Sequence, residues 1–515
     1  MKNNSFIYST IILIMANFLA RFLGFFYKIL LSRFLGSEGI GLYHLVFPVF
    51  LVIITITSSG IPIAVSKIIA QKISLNDYRG CKKTLFISSI LGLTISIILC
   101  ILTFNNIEFI TSNIIKSNKL KKSLLVLIPA IPIVTLSSIF RSYYYGIKKV
   151  MPAANAQIVE QLLRVSFVIS ILYILNPNDL AFSVMIATLG ISIGEIGGLI
   201  LLVSKFKSYS IHNLNNNKSL NLTSSASLLW KIIIISLPIT ISKLVSVIMK
   251  SANMFLVPRR LQTAGYSLEE SVAAFGEVVG MSLPLLFLPF IVTSAFVVNL
   301  IPNISSENAL RKTRNIELKS LLALKVTLII SIPITFIFFF FGGPICGFLY
   351  NKPSVGVYLR YFSFSLIFLS LHHIMAGILH GLGKQIITTI NHLIGTTIQL
   401  ICIYHLVAIP KIGIHGFIIG FILSSFLIFF LNLTTLKHFV TLKIKIFNDV
   451  LKPIISSLLM TLAIFICNKY LVNLGLYANL GIIISILIGG IVYLLCIIIT
   501  GCIKFKTLKY LFSFK

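Results

Sequence analysis

Several ionisable side chains lie inside otherwise apolar stretches of this sequence, and their spacing suggests a chemistry. Arg21 and Lys28 stand seven residues apart, as do Lys243 and Lys250. In a helix that spacing puts both members on one face. Neither segment contains an acid, and Lys67 adds a fifth cation. Such a basic lining suits phosphate or pyrophosphate: arginine's planar fork grips in two places, and lysine supplies a point charge. An ionisable group at mid-membrane costs at least about 2.5 kcal/mol, so each needs a partner or a water-filled cavity. For Lys28 and Lys250 the alternative is that they reach out to the interface near their helix ends.

The remaining candidates include acids. Glu160 and Arg164 are spaced i,i+4, which suits an ion pair on one helix. Glu195 sits among Gly194, Gly197 and Gly198, a small-residue packing surface, where it could bind a proton or cation or hydrogen-bond a neighbouring helix. Glu277 opens one apolar span. Lys325 lies near the end of another and is expected to reach the interface. His373 and His380 share a face, but no carboxylate or cysteine accompanies them and no standard metal spacing results. The seven cysteines form no CxxC. There is no GxxxxGK[ST] loop, nucleophile elbow or HExxH. The sequence therefore predicts no metal, no cofactor and no enzyme.

The elements that must carry these residues are membrane helices. Of 515 residues, 57% are hydrophobic and 11% charged, where a soluble chain would have about 25% charged. In lipid the backbone must satisfy its own hydrogen bonds, and continuous rather than alternating apolar runs mean helices. About fourteen spans are expected: 5–31, 40–68, 84–104, 123–146, 153–175, 180–204, 228–256, 273–301, 320–342, 357–381, 386–408, 413–436, 450–471 and 478–502. The net charge of +31 sits mostly in short loops, which excludes a nucleic-acid partner and fits contact with anionic membrane lipids. Loops on one side hold about twice the basic residues of the other, which places both termini on the cytoplasmic side of the plasma membrane. Lys116–Lys122 is the main exception.

An internal repeat is visible. Tyr145-Gly146-Ile147-Lys148-Lys149 resembles His380-Gly381-Leu382-Gly383-Lys384, and Ser32-Arg33-Phe34-Leu35 resembles Pro258-Arg259-Arg260-Leu261. Six-span lobes repeated in parallel are a transporter pattern. The expected organisation is an all-α polytopic protein with an N-lobe at 1–212, a cytoplasmic linker at 213–227, a C-lobe at 228–440, and two further helices with a basic tail at 441–515.

Ala20-Arg21-Phe22-Leu23-Gly24-Phe25, Arg33-Phe34-Leu35-Gly36-Ser37-Glu38-Gly39 and Gly60-Ile61-Pro62-Ile63-Ala64-Val65-Ser66-Lys67 together resemble one family. So do Val257-Pro258-Arg259-Arg260-Leu261 and Gly381-Leu382-Gly383-Lys384. It is the polysaccharide-exporter branch of the multidrug/oligosaccharidyl-lipid/polysaccharide flippase superfamily. The resemblance implies two lobes around a cavity, as in multidrug exporters and lipid II flippases, working by alternating access. It also implies a lipid-linked oligosaccharide or lipid II-like peptidoglycan precursor as cargo, in cell-wall or spore-cortex synthesis, with envelope-synthesis enzymes as neighbours. Related lipid II flippases carry an Arg-Asp pair where this chain has Tyr27-Lys28, so the acid is missing here. The expected function is outward flipping of an undecaprenyl-pyrophosphate-linked sugar docked on Arg21, Lys28, Lys67, Lys243 and Lys250. Membrane potential, H+ or Na+ would drive it. A drug/cation antiporter would need an acid in these helices, and a non-transporting scaffold would not need the cations.

Overall fold

A computed structural model describes residues 2–209, 224–442, 445–474 and 478–502. Most of the expected linker, together with Lys218, Lys443 and the tail lysines Lys504, Lys506, Lys509 and Lys515, lies outside the described residues. Among the described residues every regular element is helical. Packing divides the chain into two compact units, residues 1–259 with 267–276, and residues 260–266 with 277–515.

The first unit begins with α1 (Lys2–Ser58) and α2 (Gly60–Ser74). At Gly36 the backbone takes φ 65° and ψ −171°, a region open to glycine at little cost, and α1 breaks there into two arms. Next come α3 (Tyr78–Asn105) and the short α4 (Ile107–Phe109), which runs into a π-helical turn at Ile110–Ile115. They are followed by α5 (Lys121–Leu127), α6 (Ala130–Gly146), α7 (Met151–Leu175), α8 (Leu180–Tyr209), α9 (Ser225–Thr263) and α10 (Leu268–Phe275). Its core joins Ile61, Val65 and Ile69 of α2 to Tyr143 and Tyr144 of α6, Leu202 of α8 and Ile232 of α9. Helix α9, expected in the C-lobe, thus packs in the first unit. Gly60 permits the approach: a Cβ there would lie 2.2 Å from the Ser236 carbonyl oxygen.

The second unit contains a π-helical turn at Gly276–Ser282, then α11 (Leu283–Leu286), α12 (Phe290–Ala309), α13 (Thr313–Tyr350), α14 (Val355–Gly381), α15 (Gln385–Leu406) and α16 (His415–Phe439). A π-turn at Phe447–Leu451 leads into α17 (Lys452–Asn473), and α18 (Ala478–Ile499) follows. The last two helices pack on α13, where the Tyr493 hydroxyl donates to the Ile329 carbonyl at 2.7 Å and Met460 and Ile464 meet Phe341.

Twelve helical segments among the described residues are long and apolar enough to cross a membrane, against about fourteen expected. The difference falls at two places. Residues 15–74 form one segment of 60 residues. Drawn straight it would reach about 90 Å, three times the hydrocarbon thickness, but Gly36 breaks it. The span expected at 273–301 is interrupted by the π-turn and by Pro289, so no single long helix covers it.

The connection between α2 and α3 is held by Asp77. Its carboxylate accepts from the Gly80 amide at 2.7 Å, capping α3, and pairs with Lys72 Nζ at 2.8 Å. Partial burial alone would raise this carboxyl's pKa, but the bonds from Lys72 and Gly80 outweigh it and hold the group below its ordinary value. A carboxyl depressed in the folded state stabilises fully above the unfolded pKa, near 4, and loses that contribution as pH falls through the folded value. Asn keeps a capping oxygen but loses the charge paired with Lys72, so Asp77→Asn is expected to cost up to about 1 kcal/mol at pH 7. Its thermal midpoint should converge with that of the unmodified protein below about pH 4. A gap that persists in acid would remove the carboxylate from the account.

Candidate functional site

The five expected cations all belong to the first unit. The two arms of α1 turn back on each other at Gly36: Tyr27 and Tyr43 share a side-chain hydrogen bond, and Lys28 stands beside His44. Arg21 is exposed and Lys28 half-buried. Seven residues place Arg21 about 10 Å along the axis from Lys28.

Helix α9 runs antiparallel to the second arm and α2. Ser251 Oγ donates to the Pro48 carbonyl at 3.4 Å, Ser236 and Thr240 close on Gly60, and Lys231 Nζ reaches Gln71 Oε1 at 3.3 Å. Lys250 therefore stands level with Pro48, and Lys243 about 10 Å further toward Gly60. Both are exposed, and only 11% of the most apolar window of α9 is buried, the least of the twelve candidate spans. Arg21, Lys28, Lys243 and Lys250 thus share one range of depth. Lys67 does not: it is exposed on α2, about 28 Å along the helices beyond Pro48.

Glu160 of α7 and Glu195 of α8 are engaged with arginines. Arg141 of α6 places Nη2 2.8 Å from Glu160 Oε2 and 3.4 Å from Glu195 Oε2, and Arg164 Nη2 lies 2.8 Å from Glu160 Oε1. Both glutamates are buried. Helix α8 comes close because it presents glycine: a Cβ at Gly194 would stand 2.7 Å from the Glu160 carbonyl oxygen. The expected Glu160–Arg164 pair is therefore part of a four-membered network on three helices, and Glu195 reaches a neighbouring helix through Arg141. Arg141 was missing from the expectations. An ionisable group in an apolar span is a sufficient signal for it, but Ser142-Tyr143-Tyr144-Tyr145 just after it blurs the end of that span. The network backs onto the cation-bearing arm: Gly24 packs near Gln161, and Tyr27 and Tyr43 lie near Arg164.

In the second unit, Glu277 on the π-turn pairs with Lys352 Nζ at 2.5 Å. Lys325 pairs with Asp449 Oδ1 at 2.9 Å. The partner comes from a distant turn that spacing along the span does not reveal. Among the described residues no group of three or more His, Cys, Asp or Glu side chains could hold a metal ion.

The many-helix fold is that of a multi-pass membrane protein, and comparison with known proteins places it among the transporters of the flippase superfamily named above. A family model described as polysaccharide biosynthesis protein matches residues 6–306. The chain belongs to that family, in the polysaccharide-exporter branch. Stage V sporulation protein B of Bacillus subtilis (strain 168) is 25% identical over 446 residues, covering 87% of this chain and 86% of that protein. Lipid II flippase MurJ of the same organism is 24% identical over 522 residues, covering 95% and 94%. A solved structure of lipid II flippase MurJ in an inward closed conformation gives a TM-score of 0.69 at 19% identity, covering 95% of this chain and 98% of that one. That likeness supports the fold.

Proposed function

We propose that this protein moves an undecaprenyl-pyrophosphate-linked oligosaccharide or peptidoglycan precursor from the inner to the outer leaflet by alternating access, with both termini inside the cell. One observation carries the reading: four cations share a depth range on α9 and the first arm of α1, stretches that contain no acid, while Glu160 and Glu195 are held by arginines. An anion meets attraction on those helices and no competing carboxylate. Arg21 supplies the two-pronged grip on phosphate, with Lys28, Lys243 and Lys250 around it. Lys67, far along α2, would meet the head group at a different stage of passage. The two curated relatives point the same way, since one is a lipid II flippase and the other a sporulation protein.

Outward passage of a pyrophosphate carries negative charge down an inside-negative potential, worth about 2.3 kcal/mol per charge per 100 mV. Proteoliposomes loaded with a fluorescent lipid-linked sugar pyrophosphate test this. Imposing an inside-negative potential should speed outward movement, and reversing its sign should slow it. A rate indifferent to potential, ΔpH and a Na+ gradient alike would sink the transport reading.

A further inference from the structure

Tyr266, Glu277, Lys352, Tyr358, Tyr361 and His415 all belong to the second unit, and the reading above leaves them unused. They converge at the end of the unit where α14 and α16 begin. Glu277 sits on the π-turn Gly276–Ser282, a geometry that recurs at functional sites. Its carboxylate pairs with Lys352 Nζ at 2.5 Å and accepts from the Tyr358 hydroxyl on the first turn of α14. Tyr266 stands beside Tyr358. Gly413, with φ 49°, lets Tyr266 in: a Cβ there would lie 2.7 Å from the Tyr266 hydroxyl oxygen. His415 opens α16 and sets its ring centroid 6.0 Å from that of Tyr358 and 5.5 Å from that of Tyr361, the second contact edge-to-face at 86°.

Tyr361 is 44% exposed and His415 is exposed, so ring surface stays open beside the charge pair. A residue that only marks the head-group layer of the membrane needs a ring there and nothing more. Here a charge pair, a hydroxyl bonded to it and a ring held between two others are brought together from separate segments. Aromatic surface with a few placed polar groups is the make-up of a small-molecule site. Glu277 and Lys352 cancel in charge, so a phosphate or an ammonium group would lose to one what it gains from the other. A neutral ligand with an apolar face and several hydroxyls uses both. A pyranose sugar is such a ligand: its C–H face lies on a ring, and its hydroxyls donate to the carboxylate and accept from the ammonium.

We propose that these residues form a saccharide-binding platform that takes a neutral pyranose of the cargo's head group. Tyr361 and His415 supply the stacking surface, Glu277 and Lys352 the polar contacts, and Tyr358 and Tyr266 hold the carboxylate side in place. With both termini inside the cell, α14 and α16 begin on the outer side, so the platform meets the sugar after passage. The proposal rests on the lipid-linked reading and deepens it by separating the contacts of the sugar from those of the pyrophosphate.

The test uses the full chain in nanodiscs free of glycolipid, a panel of neutral disaccharides, and saturation-transfer NMR. Transfer should reach the protons on one face of a pyranose ring. Tyr361→Ala should weaken binding about ten-fold, and Tyr361→Phe, which keeps the ring, should hold it. Glu277→Gln uncovers the charge of Lys352. The neutral disaccharide should then bind about five-fold more weakly, and its 6-phosphate should become the tighter ligand of the two. Adding a lipid-linked sugar pyrophosphate to the same bilayer should displace the disaccharide. No transfer to any disaccharide of the panel, a preference of the unmodified protein for the 6-phosphate, or no displacement by the lipid-linked sugar overturns the proposal. The measurement needs no flipping. Loss of flipping with sugar binding retained removes the transport reading and leaves the platform, whereas flipping without sugar binding removes the platform alone.

Discussion

In proteoliposomes of the full chain, Arg21→Ala slows the flipping of a pyrophosphate-linked lipid by about 10- to 100-fold at equal protein. The size follows from charge-assisted hydrogen bonds, worth roughly 1.5–3 kcal/mol each, with about 1.4 kcal/mol per factor of ten. Arg21→Lys recovers part of the rate, because the charge returns without the planar fork. Lys243→Ala and Lys250→Ala have smaller effects, since each removes a single-point contact. Lys67→Ala, about 28 Å along the helices beyond Pro48, has the least effect on binding of the head group. Wild-type flipping by Arg21→Ala would dismiss this assignment.

Glu160→Leu acts on stability instead. Glu160 is the carboxylate shared by Arg141 and Arg164, and its side chain is 7% exposed. Removing it leaves Arg164 without its 2.8 Å partner and Arg141 with only the longer contact to Glu195. Stranding buried charge in this way costs about 3–5 kcal/mol. The expected result is a sharp fall in the thermal midpoint in detergent at a fixed scan rate, because such unfolding is commonly irreversible. Adding Arg164→Leu removes one stranded cation and should restore part of the loss. If Glu160→Leu melts with the unmodified protein, the network does not hold the three helices together.

The fold was largely legible because lipid leaves a long apolar run few choices, and the runs here are continuous. The two cation pairs were legible for a related reason: a seven-residue spacing fixes a shared helix face whatever the neighbours do. The span at 40–68 already put Lys67 at its end, but the separation of Lys67 from the other four cations shows only with α9 laid along α2 and the second arm of α1. The partners Arg141 and Asp449 were missed because they come from other elements, and spacing within a span carries no trace of them. The packing of α9 in the first unit turns on the bare backbone of Gly60, a single residue whose role appears only with Ser236 beside it.

That last arrangement sets an order on biosynthesis. Helix α2 is complete at Ser74, yet the surface around Gly60 is covered only when α9 has been made. At about 5–20 residues per second the ribosome takes roughly 10–40 s to cover that distance. During this interval the nascent first unit stands in the bilayer with an open seat on α2, closed only by a helix that emerges after α3 to α8 have been made.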